Sequence, residues 1–376
     1  MKGRTSCMNK AYAMVIEKFG DPLVYREFDL PKVQDGEVRI RMLTCGICGS
    51  DVHIWKGEDE RSRLPMILGH EGIGFVDAVT PGRTDIFHHP LEVGDLVVWN
   101  RGVSCKNCYE CLVKRRTYSC KNRWTYGLSR SIHEYPHLSG GYASHMLLTP
   151  ETEIICVIPQ RQVEPQKDYI PYVSACCAGT TTACAFEQVR VESGDTVLIQ
   201  GPGPLGVYAV LFAKERGASN IIVVGGTQER LDLCKKAGAT HVINRRTLSR
   251  EKRAELIDQI TGGRGADAVF ELSGSAEAVE EGVGYTAVNG TYASAGIAVD
   301  VGDISINWFR SVVRKNVTIK GIWVGDIKNT WQAIKVYERH QAVLNSVITA
   351  RIPLRDATKA LSMMERKEAM KIALIP

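Results

Sequence analysis

The sequence predicts an α/β protein of two domains, one built on a doubly wound parallel sheet and the other on mostly antiparallel β-strands. A chain of 376 residues is longer than a single hydrophobic core usually serves. Residues 11–100 carry short β-rich runs bounded by turn residues. From about residue 168 to residue 314, short apolar runs alternate with helical periodicity, which is typical of a parallel sheet covered by helices.

Composition excludes several classes of function. The chain is 44% hydrophobic and 24% charged, as soluble globular proteins are, and its net charge is only +5. The basic clusters 114–116 and 245–246 are therefore interpreted as solvated faces and not as a nucleic-acid surface. No apolar run approaches the length that spans a bilayer, and residues 1–10 hold no uninterrupted apolar region of signal-peptide length. We expect a cytoplasmic enzyme without nucleic-acid or membrane partners.

One stretch organises the parallel-sheet domain. Residues 196–200 form an apolar run that breaks into G-x-G-x-x-G and then resumes at helical spacing. Gly201 permits the tight turn, Gly203 lets the backbone approach a pyrophosphate, and Gly206 lets the helix pack closely. Backbone N–H groups and the positive helix end then hold the phosphates of a dinucleotide. The predicted cofactor-binding residues of this loop are Gly201, Gly203, Pro204, Leu205 and Gly206.

The residue after the second strand bears on the choice between NAD and NADP. NAD enzymes usually carry a carboxylate there, about twenty residues past the fingerprint, on the ribose hydroxyls. This chain has Gly225 at that position, followed by Gly226 and Thr227. A missing carboxylate removes repulsion of a 2′-phosphate, and Thr227 with Arg230 is predicted to contact one. NADP is therefore favoured slightly, while Glu229 leaves NAD open as a partner of the ribose.

Two segments of the β-rich domain carry chemistry. The first contains Cys48, and the second contains His70 and Glu71 between glycines. Thiolate, imidazole and carboxylate together are typical zinc ligands, and three protein ligands leave a fourth position open for catalysis. Twelve cysteines in a chain of this length also favour metal or catalytic roles over disulfides.

These residues carry a family resemblance. Cys-Gly-Ser-Asp-Val-His at 48–53, followed by Gly-His-Glu at 69–71, resembles the zinc-containing medium-chain dehydrogenase/reductase superfamily of alcohol, polyol and threonine dehydrogenases. The resemblance covers nearly the whole chain. It implies a GroES-like domain of residues 1–167 and 315–376 and a Rossmann domain of residues 168–314. A strand at residues 316–321 is then expected in the first domain, and the active site is expected in the cleft between the domains.

The resemblance assigns roles around a catalytic zinc. Cys48 and His70 are implied as zinc ligands, and Glu71 approaches the metal directly or through water. Ser50 and His53 fall where the family relays a proton from the bound alcohol to solvent. The same alignment makes Asp51 the carboxylate that orients the ligating histidine and makes Cys45 a core residue.

The third ligand of that zinc is expected much later in the chain. Residues 172–181 resemble the Cys-Ala-Gly segment of alcohol dehydrogenases, which makes Cys177 the ligand and Cys176 its buried neighbour. Because the two cysteines are adjacent, the alignment can also be shifted by one residue, which would make Cys176 the ligand. Polyol dehydrogenases usually carry a carboxylate at this place, so the cysteine argues against a polyol substrate.

A second zinc site is predicted in a lobe at about residues 101–121. Four thiolates without an open position form a closed structural site whose metal binding is coupled to local folding. The loop before the last cysteine is one residue longer than is common in that family, which leaves this ligand the least specified. The four implied ligands are Cys105, Cys108, Cys111 and Cys120.

Residues 121–145 resemble the family least. Their aromatic residues and histidines either line the substrate cleft or pack on the surface. If they line the cleft, Arg123 and Arg130 favour a polar or anionic substrate.

The resemblance implies a zinc-dependent alcohol dehydrogenase that transfers a hydride between a small alcohol, or its aldehyde or ketone, and NAD(P). A polyol or threonine-type dehydrogenase, or a reductase of a small polar or anionic aldehyde, is the alternative. A zinc-independent enone or quinone reductase is a remote alternative, because such enzymes lack Cys48, His70 and the four-cysteine lobe. The resemblance also implies a homodimer or a homotetramer, the assemblies that are usual in this family.

Overall fold

The computed structural model describes residues 10–376, which form two compact units. The first unit comprises the described residues up to Cys177 together with Ile348–Pro376, and the second comprises Ala178–Val347. Both boundaries lie later than the sequence-based boundaries at 167 and 314. None of the helices within residues 10–376 is long and apolar enough to cross a membrane.

The first unit is mostly β-structure. Its elements are β1 (Lys10–Ile16), β2 (Val24–Asp29), β3 (Val38–Ile47), α1 (Gly49–Lys56), β4 (Met66–Ile67), β5 (Glu71–Val79), β6 (Leu96–Trp99), β7 (Gly102–Val103), α2 (Tyr109–Leu112), β8 (Trp124–Thr125), β9 (His145–Leu148), β10 (Ile154–Ile158), and, near the C-terminus, β17 (Ala350–Pro353), α11 (Ala357–Glu365) and β18 (Ile372–Ile375).

Antiparallel pairing dominates this unit, as the sequence predicts. The largest sheet has the order β10-β6-β5-β3-β18-β17, with β9 also paired to β3, and only β17 and β18 run parallel within it. Smaller sheets are β2-β1-β4 and β7-β8. Along β3, Val38, Ile40 and Met42 are buried while Arg41 is exposed. This alternation places one face of β3 on the core.

The second unit is built on a six-stranded parallel sheet. The strand order is β13-β12-β11-β14-β15-β16, and every neighbouring pair is parallel. This is the doubly wound order whose switch point lies between the first and fourth strands. Its elements are α3 (Ala178–Gln188), β11 (Thr196–Gln200), α4 (Pro204–Glu215), β12 (Asn220–Gly225), α5 (Gln228–Ala237), β13 (His241–Asn244), α6 (Arg250–Thr261), β14 (Ala266–Glu271), α7 (Ala276–Tyr285), β15 (Thr286–Ser294), α8 (Trp308–Ser311), β16 (Thr318–Gly321), α9 (Ile327–Arg339) and α10 (Gln341–Leu344).

The later boundary has a physical reason. The strand expected at residues 316–321 is β16, which pairs in parallel with β15 and completes the sheet of the second unit. Helix α3 packs on α4 and α9, so it also belongs to that unit. Between β16 and β17 the chain forms α9 and α10, which meet at His340.

Candidate active site

Four side chains from three separate segments of the sequence meet in the first unit. One potential ligand atom from each of Cys48, His70, Glu71 and Cys177 lies within 4.8 Å of the others. The Sγ atoms of Cys48 and Cys177 are 3.9 Å apart. We call these four residues the catalytic cluster, after the catalytic zinc that the family resemblance implies there. The neighbouring Cys176 points elsewhere, with its Sγ 3.5 Å from the carbonyl oxygen of Gly72.

Strand and helix ends bring the catalytic cluster together. Cys48 lies between β3 and α1, and His70 immediately precedes Glu71, the first residue of β5. Gly69 turns the chain into that strand with a φ of +97°, and a Cβ there would lie 2.5 Å from the ring of Tyr142. Only glycine fits at this position, because both the conformation and the space exclude a side chain.

A buried carboxylate orients the histidine. Asp51 is fully buried, and its Oδ1 lies 3.1 Å from Nδ1 of His70. Its Oδ2 accepts hydrogen bonds from the Cys48 amide at 2.8 Å and from the Tyr142 hydroxyl at 3.4 Å. Burial lowers the pKa of His70, but the Asp51 carboxylate and, less strongly, the sulfur of Cys48 outweigh that effect and raise it to about 10. The contact with Nδ1 leaves Nε2 as the ring nitrogen available to a metal.

Glu71 forms a buried ion pair that sequence reasoning missed. Its Oε2 accepts a hydrogen bond from Nζ of Lys371, whose side chain is 2% exposed. Its Oε1 is buried and has no hydrogen-bond partner among residues 10–376. A lysine inside the apolar run 369–375 is the only sequence signal for this contact.

The donor set of the catalytic cluster fits zinc. Two thiols, an imidazole and a carboxylate are the ligand types that zinc prefers. Tetrahedral zinc with Zn–S bonds of about 2.3 Å separates two sulfur ligands by about 3.8 Å, close to the 3.9 Å between Cys48 and Cys177. The unpartnered Oε1 of Glu71 also fits a cation, since a buried carboxylate oxygen without a partner is costly.

A second buried cation lies beside the catalytic cluster. Arg101 is 7% exposed, and its Nη1 donates a hydrogen bond to Sγ of Cys177. Sequence reasoning did not single out Arg101. An arginine two residues after the apolar run 96–99 is the signal that was available.

The four cysteines of the predicted lobe form a second cluster. Sγ of Cys108 lies 3.6 Å from that of Cys111 and 3.9 Å from that of Cys120, and the Cys105 and Cys120 sulfurs are 3.4 Å apart. All four ligand atoms lie within 4.8 Å of one another. These separations suit a closed tetrahedral zinc site, and the longer loop before Cys120 does not displace its thiol.

Ser50 and His53 lie on helix α1, which begins directly after Cys48. They are three residues apart, so they lie on the same side of the helix. His53 Nδ1 lies 2.5 Å from Oε2 of Glu58, and both side chains are partly exposed.

The glycine-rich loop lies at the carboxyl end of β11, the first strand of the parallel sheet. Gly201 has a φ of +112°, and Gly203 precedes Pro204 at the start of α4. A Cβ on Gly206 would lie 2.0 Å from the carbonyl oxygen of Gly201, whereas a Cβ on Gly203 would meet open space. The loop has the geometry of glycine-rich turns whose backbone amides and helix end bind a pyrophosphate in dinucleotide-binding folds.

The end of β12 explains the missing carboxylate. A Cβ on Gly225 would lie 2.3 Å from Cγ of Pro202 in the glycine-rich loop, so no side chain fits. A Cβ on Gly226 would lie 3.2 Å from Nε of Arg246 and 3.4 Å from Nε of Arg245. Both arginines are exposed, which agrees with the prediction that residues 245–246 form a solvated face. They also flank this turn. Their proximity to Gly226 was not predicted.

Residues 121–145 pack largely within the first unit. Trp124 lies edge-on to the fully buried ring of Tyr126, and the Arg130 guanidinium lies 5.0 Å from the centre of the Trp124 ring. The hydroxyl of Tyr135 donates a hydrogen bond to Glu37. These aromatic residues therefore pack on protein, while Arg123 lies over the backbone of Gly102, next to Arg101.

A parallel sheet with a glycine fingerprint, a mostly antiparallel β unit and two thiolate-rich clusters are together typical of zinc-dependent dehydrogenases. Comparison with known proteins agrees. The model of the alcohol dehydrogenase GroES-like domain matches residues 34–160, and that of the zinc-binding dehydrogenases matches residues 204–339.

Relatives of similar length span nearly the whole chain. The 5-exo-hydroxycamphor dehydrogenase of Pseudomonas putida is 32% identical, over 89% of this chain and 91% of its own. An L-threonine 3-dehydrogenase of an Anaeromyxobacter species is 30% identical, over 92% of this chain and 93% of its own. The crystal structure of an alcohol dehydrogenase from Thermotoga maritima has a TM-score of 0.92 and 43% identity, over 98% of this chain and 99% of its own.

The chain belongs to the zinc-containing medium-chain dehydrogenase/reductase family. It is an oxidoreductase that acts on the CH–OH group of a small alcohol, and the family uses zinc and NAD(P). This confirms the predicted class, fold and reaction type.

Proposed function

We propose that this protein is an NADP-preferring alcohol dehydrogenase with one catalytic and one structural zinc. The observation that carries the catalytic assignment is the convergence of Cys48, His70, Glu71 and Cys177 within 4.8 Å. The unpartnered Oε1 of Glu71 supports it further. The structural zinc is assigned to Cys105, Cys108, Cys111 and Cys120.

The proposed ligands of the catalytic zinc are Cys48, His70 and Cys177, with Glu71 beside them. Zinc bound there supplies a Lewis acid that lowers the pKa of an alcohol oxygen. Asp51 holds the His70 ring by its Nδ1 so that the other nitrogen faces the cluster. Lys371 balances the charge of Glu71 and keeps this carboxylate in place.

The protein residues proposed to move the proton are Ser50 and His53. Ser50 takes the hydroxyl proton of the alcohol, and His53 passes it to solvent, since its side chain is partly exposed. The loop at Gly201–Gly206 would hold NAD(P) by its pyrophosphate, and the bound cofactor would supply the nicotinamide that accepts the hydride of the alcohol.

The adjacent cysteines provide a matched test of the catalytic site. Cys177→Ser removes a proposed ligand, while Cys176→Ser changes a thiol that contacts the Gly72 carbonyl instead. We expect Cys177→Ser to lose one zinc per chain and turnover of every alcohol, with cofactor binding retained, and we expect Cys176→Ser to keep both. Metal analysis, NADPH fluorescence and alcohol oxidation measure this. Loss of zinc in Cys176→Ser alone would mean that the ligand is the other cysteine.

Cys48→Ala and His70→Ala extend the test to the other two ligands. Each is expected to abolish alcohol oxidation while NADPH still binds, because the cofactor loop lies in another unit. Unchanged turnover in both variants would refute the zinc mechanism.

The preference for NADP is proposed from the turn after β12. Pro202 leaves no room for a carboxylate side chain at position 225. The guanidinium groups of Arg245 and Arg246 flank Gly226. An arginine fork matches the geometry of a phosphate. Thr227 and Arg230 are the further proposed contacts of the 2′-phosphate.

Two variants test this preference. Gly226→Asp places a carboxylate between the two arginines without the steric conflict that position 225 would have. We expect it to lower NADP affinity and raise NAD affinity, changing their ratio by about a hundredfold, or about 2.7 kcal/mol. Arg245→Gln is expected to weaken NADP about tenfold and leave NAD unchanged. Equal effects on both cofactors, measured by equilibrium fluorescence, would refute the assignment.

A second candidate substrate class has its own support. Several relatives are named L-threonine 3-dehydrogenase, at 26–30% identity over more than nine-tenths of this chain. A threonine-type activity is therefore the alternative to simple alcohols, and a kinetic comparison of L-threonine with unsubstituted alcohols decides between them. We also propose a reducing, cytoplasmic location, because the eleven cysteines among residues 10–376 are free, and a homodimeric or homotetrameric assembly.

A further inference from the structure

A carboxylate is buried at the carboxyl edge of the parallel sheet. Glu271 is the last residue of β14 and is fully buried. A carboxylate in such a place is costly unless hydrogen bonds or an opposite charge compensate for the lost water. The groups that contact Glu271 therefore indicate which part of the fold this carboxylate serves.

Four donors hold the carboxylate. Oε1 of Glu271 accepts hydrogen bonds from the Ser273 amide at 2.6 Å, the Ser273 hydroxyl at 2.9 Å and the Gly274 amide at 2.7 Å. Oε2 accepts a hydrogen bond from the Ser294 hydroxyl at 3.2 Å. Hydrogen bonds to an ionised acceptor are about twice as strong as those between neutral groups. The carboxylate is thus satisfied by the chain itself and ties two segments of it together.

These segments are the turns that follow two neighbouring strands. We call residues 272–275, between β14 and α7, the β14 turn, and residues 295–296, directly after β15, the β15 turn. The carbonyl oxygen of Glu271 also accepts hydrogen bonds from the Ala295 amide at 2.9 Å and the Gly296 amide at 3.0 Å. Glu271 therefore holds both turns, with its backbone as well as its side chain.

The β14 turn lies against the glycine-rich loop. The Leu272 amide donates a hydrogen bond to the Gln200 carbonyl oxygen at 2.8 Å, which extends the pairing of β14 with β11. A Cβ on Gly201 would lie 2.8 Å from the Leu272 carbonyl oxygen and 3.0 Å from the Ser273 amide nitrogen. Backbone meets backbone here without room for a side chain. A shift of the β14 turn would therefore change the space that the glycine-rich loop occupies.

The β15 turn packs on the β14 turn just as closely. A Cβ on Gly296 would lie 2.5 Å from the Gly274 amide nitrogen and 2.7 Å from Oε1 of Glu271. Gly274 has a φ of +73°, a conformation that glycine adopts readily. Ser273 is exposed and both glycines are half-buried, so the carboxylate lies beneath turns whose outer side is accessible.

These loops surround the switch point of the sheet. From the neighbouring strands β11 and β14, the order continues to β12 and β13 on one side and to β15 and β16 on the other. In doubly wound sheets a dinucleotide lies across this crevice, and each half of the sheet serves one mononucleotide. Because the adenosine ribose is assigned to the turn after β12, the β14 and β15 turns lie on the side of the nicotinamide half.

We propose that Glu271 is a positioning residue of the cofactor site, whose carboxylate fixes the β14 and β15 turns so that their backbone receives the nicotinamide half of NAD(P). This inference rests on the proposed function and adds a residue to its cofactor site. Glu271 lies beneath the turns and touches no ligand. Its loss would leave the Ser273 and Gly274 amides without their acceptor and free the turns to take another arrangement.

The binding test compares the whole cofactor with its adenosine half. 2′,5′-ADP, or AMP for NAD, carries the adenosine half and lacks the nicotinamide and its ribose. Glu271→Leu keeps a side chain of similar size and removes both acceptors. By fluorescence titration and calorimetry, we expect this variant to bind NADPH about thirtyfold less tightly, or about 2 kcal/mol, and 2′,5′-ADP less than about threefold less tightly.

Two conservative variants separate the position of the acceptor from its charge. Glu271→Gln keeps an oxygen where Oε1 lies and loses the charge, whereas Glu271→Asp keeps the charge on a side chain one methylene shorter. We expect Glu271→Gln to bind NADPH within about threefold of the wild type and Glu271→Asp about tenfold less tightly. This pair also carries the test if Glu271→Leu does not fold. The reverse order would mean that charge and not position matters, which overturns the proposal.

Hydrogen exchange of the protein without ligand reports on the turns directly. The Ser273 and Gly274 amides donate to Glu271, so their exchange should be at least about tenfold faster in Glu271→Leu and near the wild-type rate in Glu271→Gln. Unchanged exchange of both amides in Glu271→Leu would overturn the proposal, because the carboxylate would then not hold the turn.

A second buried carboxylate of the same unit gives the matched control. Glu281 of α7 pairs with Arg253 of α6, and the two side chains are 11% and 10% exposed. Glu281→Leu also removes a buried carboxylate, and we expect it to lower stability but to leave the ratio of NADPH to 2′,5′-ADP affinity unchanged. A change in that ratio as large as that of Glu271→Leu would assign the effect to lost stability and overturn the proposal.

The outcomes separate this inference from the proposed function. Alcohol oxidation by the wild type, with equal losses of NADPH and 2′,5′-ADP affinity in Glu271→Leu, would overturn the role of Glu271 and leave the dehydrogenase intact. A selective loss of NADPH affinity in a protein that oxidises no alcohol would support the role of Glu271 and overturn the proposed function. Unchanged NADPH affinity with faster exchange of the turn amides would mean that the turns lie outside the cofactor site, which also overturns the proposal.

Discussion

The buried ion pair between Glu71 and Lys371 allows a quantitative prediction. The two side chains are 0% and 2% exposed, and Lys371 also lies 3.5 Å from the carbonyl oxygen of Ile47. At an effective dielectric constant near 20 and a separation of about 3 Å, their attraction is about 5 kcal/mol. Removal of one partner leaves the other charge buried and uncompensated, which costs about 3–5 kcal/mol.

Lys371→Met and Glu71→Gln are each expected to lose about 3–5 kcal/mol of local stability. The double variant should lose less than either single variant, because it buries no unpaired charge, and this requires a coupling energy of at least about 3 kcal/mol. The assay is hydrogen exchange of the β18 and β3 amides, since Ile372 pairs with Ile47. A loss of 3 kcal/mol raises the local opening constant roughly a hundredfold.

Two controls make this result interpretable. Zinc content is measured in each variant, because Glu71 belongs to the catalytic cluster and metal loss would also destabilise the fold. The exposed pair Arg26–Glu17 is tested by the same cycle and should show a coupling energy below about 1 kcal/mol. Single variants that lose less than about 1 kcal/mol, or a double variant whose loss equals the sum of the singles, would refute the reasoning.

Three further predictions concern other parts of the chain. Cys111→Ser should release one zinc per chain and unfold the lobe locally, seen as faster proteolysis around residues 101–121, while the other zinc stays bound; retention of both metals would contradict the structural assignment. Gly206→Ala should weaken NADPH binding more than tenfold, because its Cβ would overlap the Gly201 carbonyl oxygen, and fluorescence titration at unchanged helix content tests this. Burial raises the pKa of Tyr126 to about 12. Between pH 10 and 12 this hydroxyl is therefore ionised in the unfolded state and not in the folded state. Tyr126 alone should therefore contribute a loss of roughly 2–3 kcal/mol over that range, and Tyr126→Phe, measured by denaturant unfolding, should reduce the total loss by that amount.

The sequence determined most of what depends on local pattern. The glycine fingerprint, the strand before it and the helix after it predicted the parallel sheet, because each follows from steric and periodic rules within a few residues. The spacing of the cysteines in the lobe predicted the second cluster for the same reason. Cys48, His70 and Cys177 were predicted through the family resemblance, and the choice between Cys176 and Cys177 was left open.

Tertiary structure decided which distant side chains share a site. Lys371 reaches Glu71 only because β18 pairs with β3, and Arg101 reaches Cys177 only because the chain leaves β6 beside the catalytic cluster. The proximity of Arg245 and Arg246 to Gly226 likewise depends on the parallel pairing of β13 with β12. Such contacts join residues through strand order and register, which no local pattern encodes. The reaction class was therefore predictable from the sequence, whereas the buried charges beside the catalytic cluster and the arginines beside Gly226 became visible only in the folded chain.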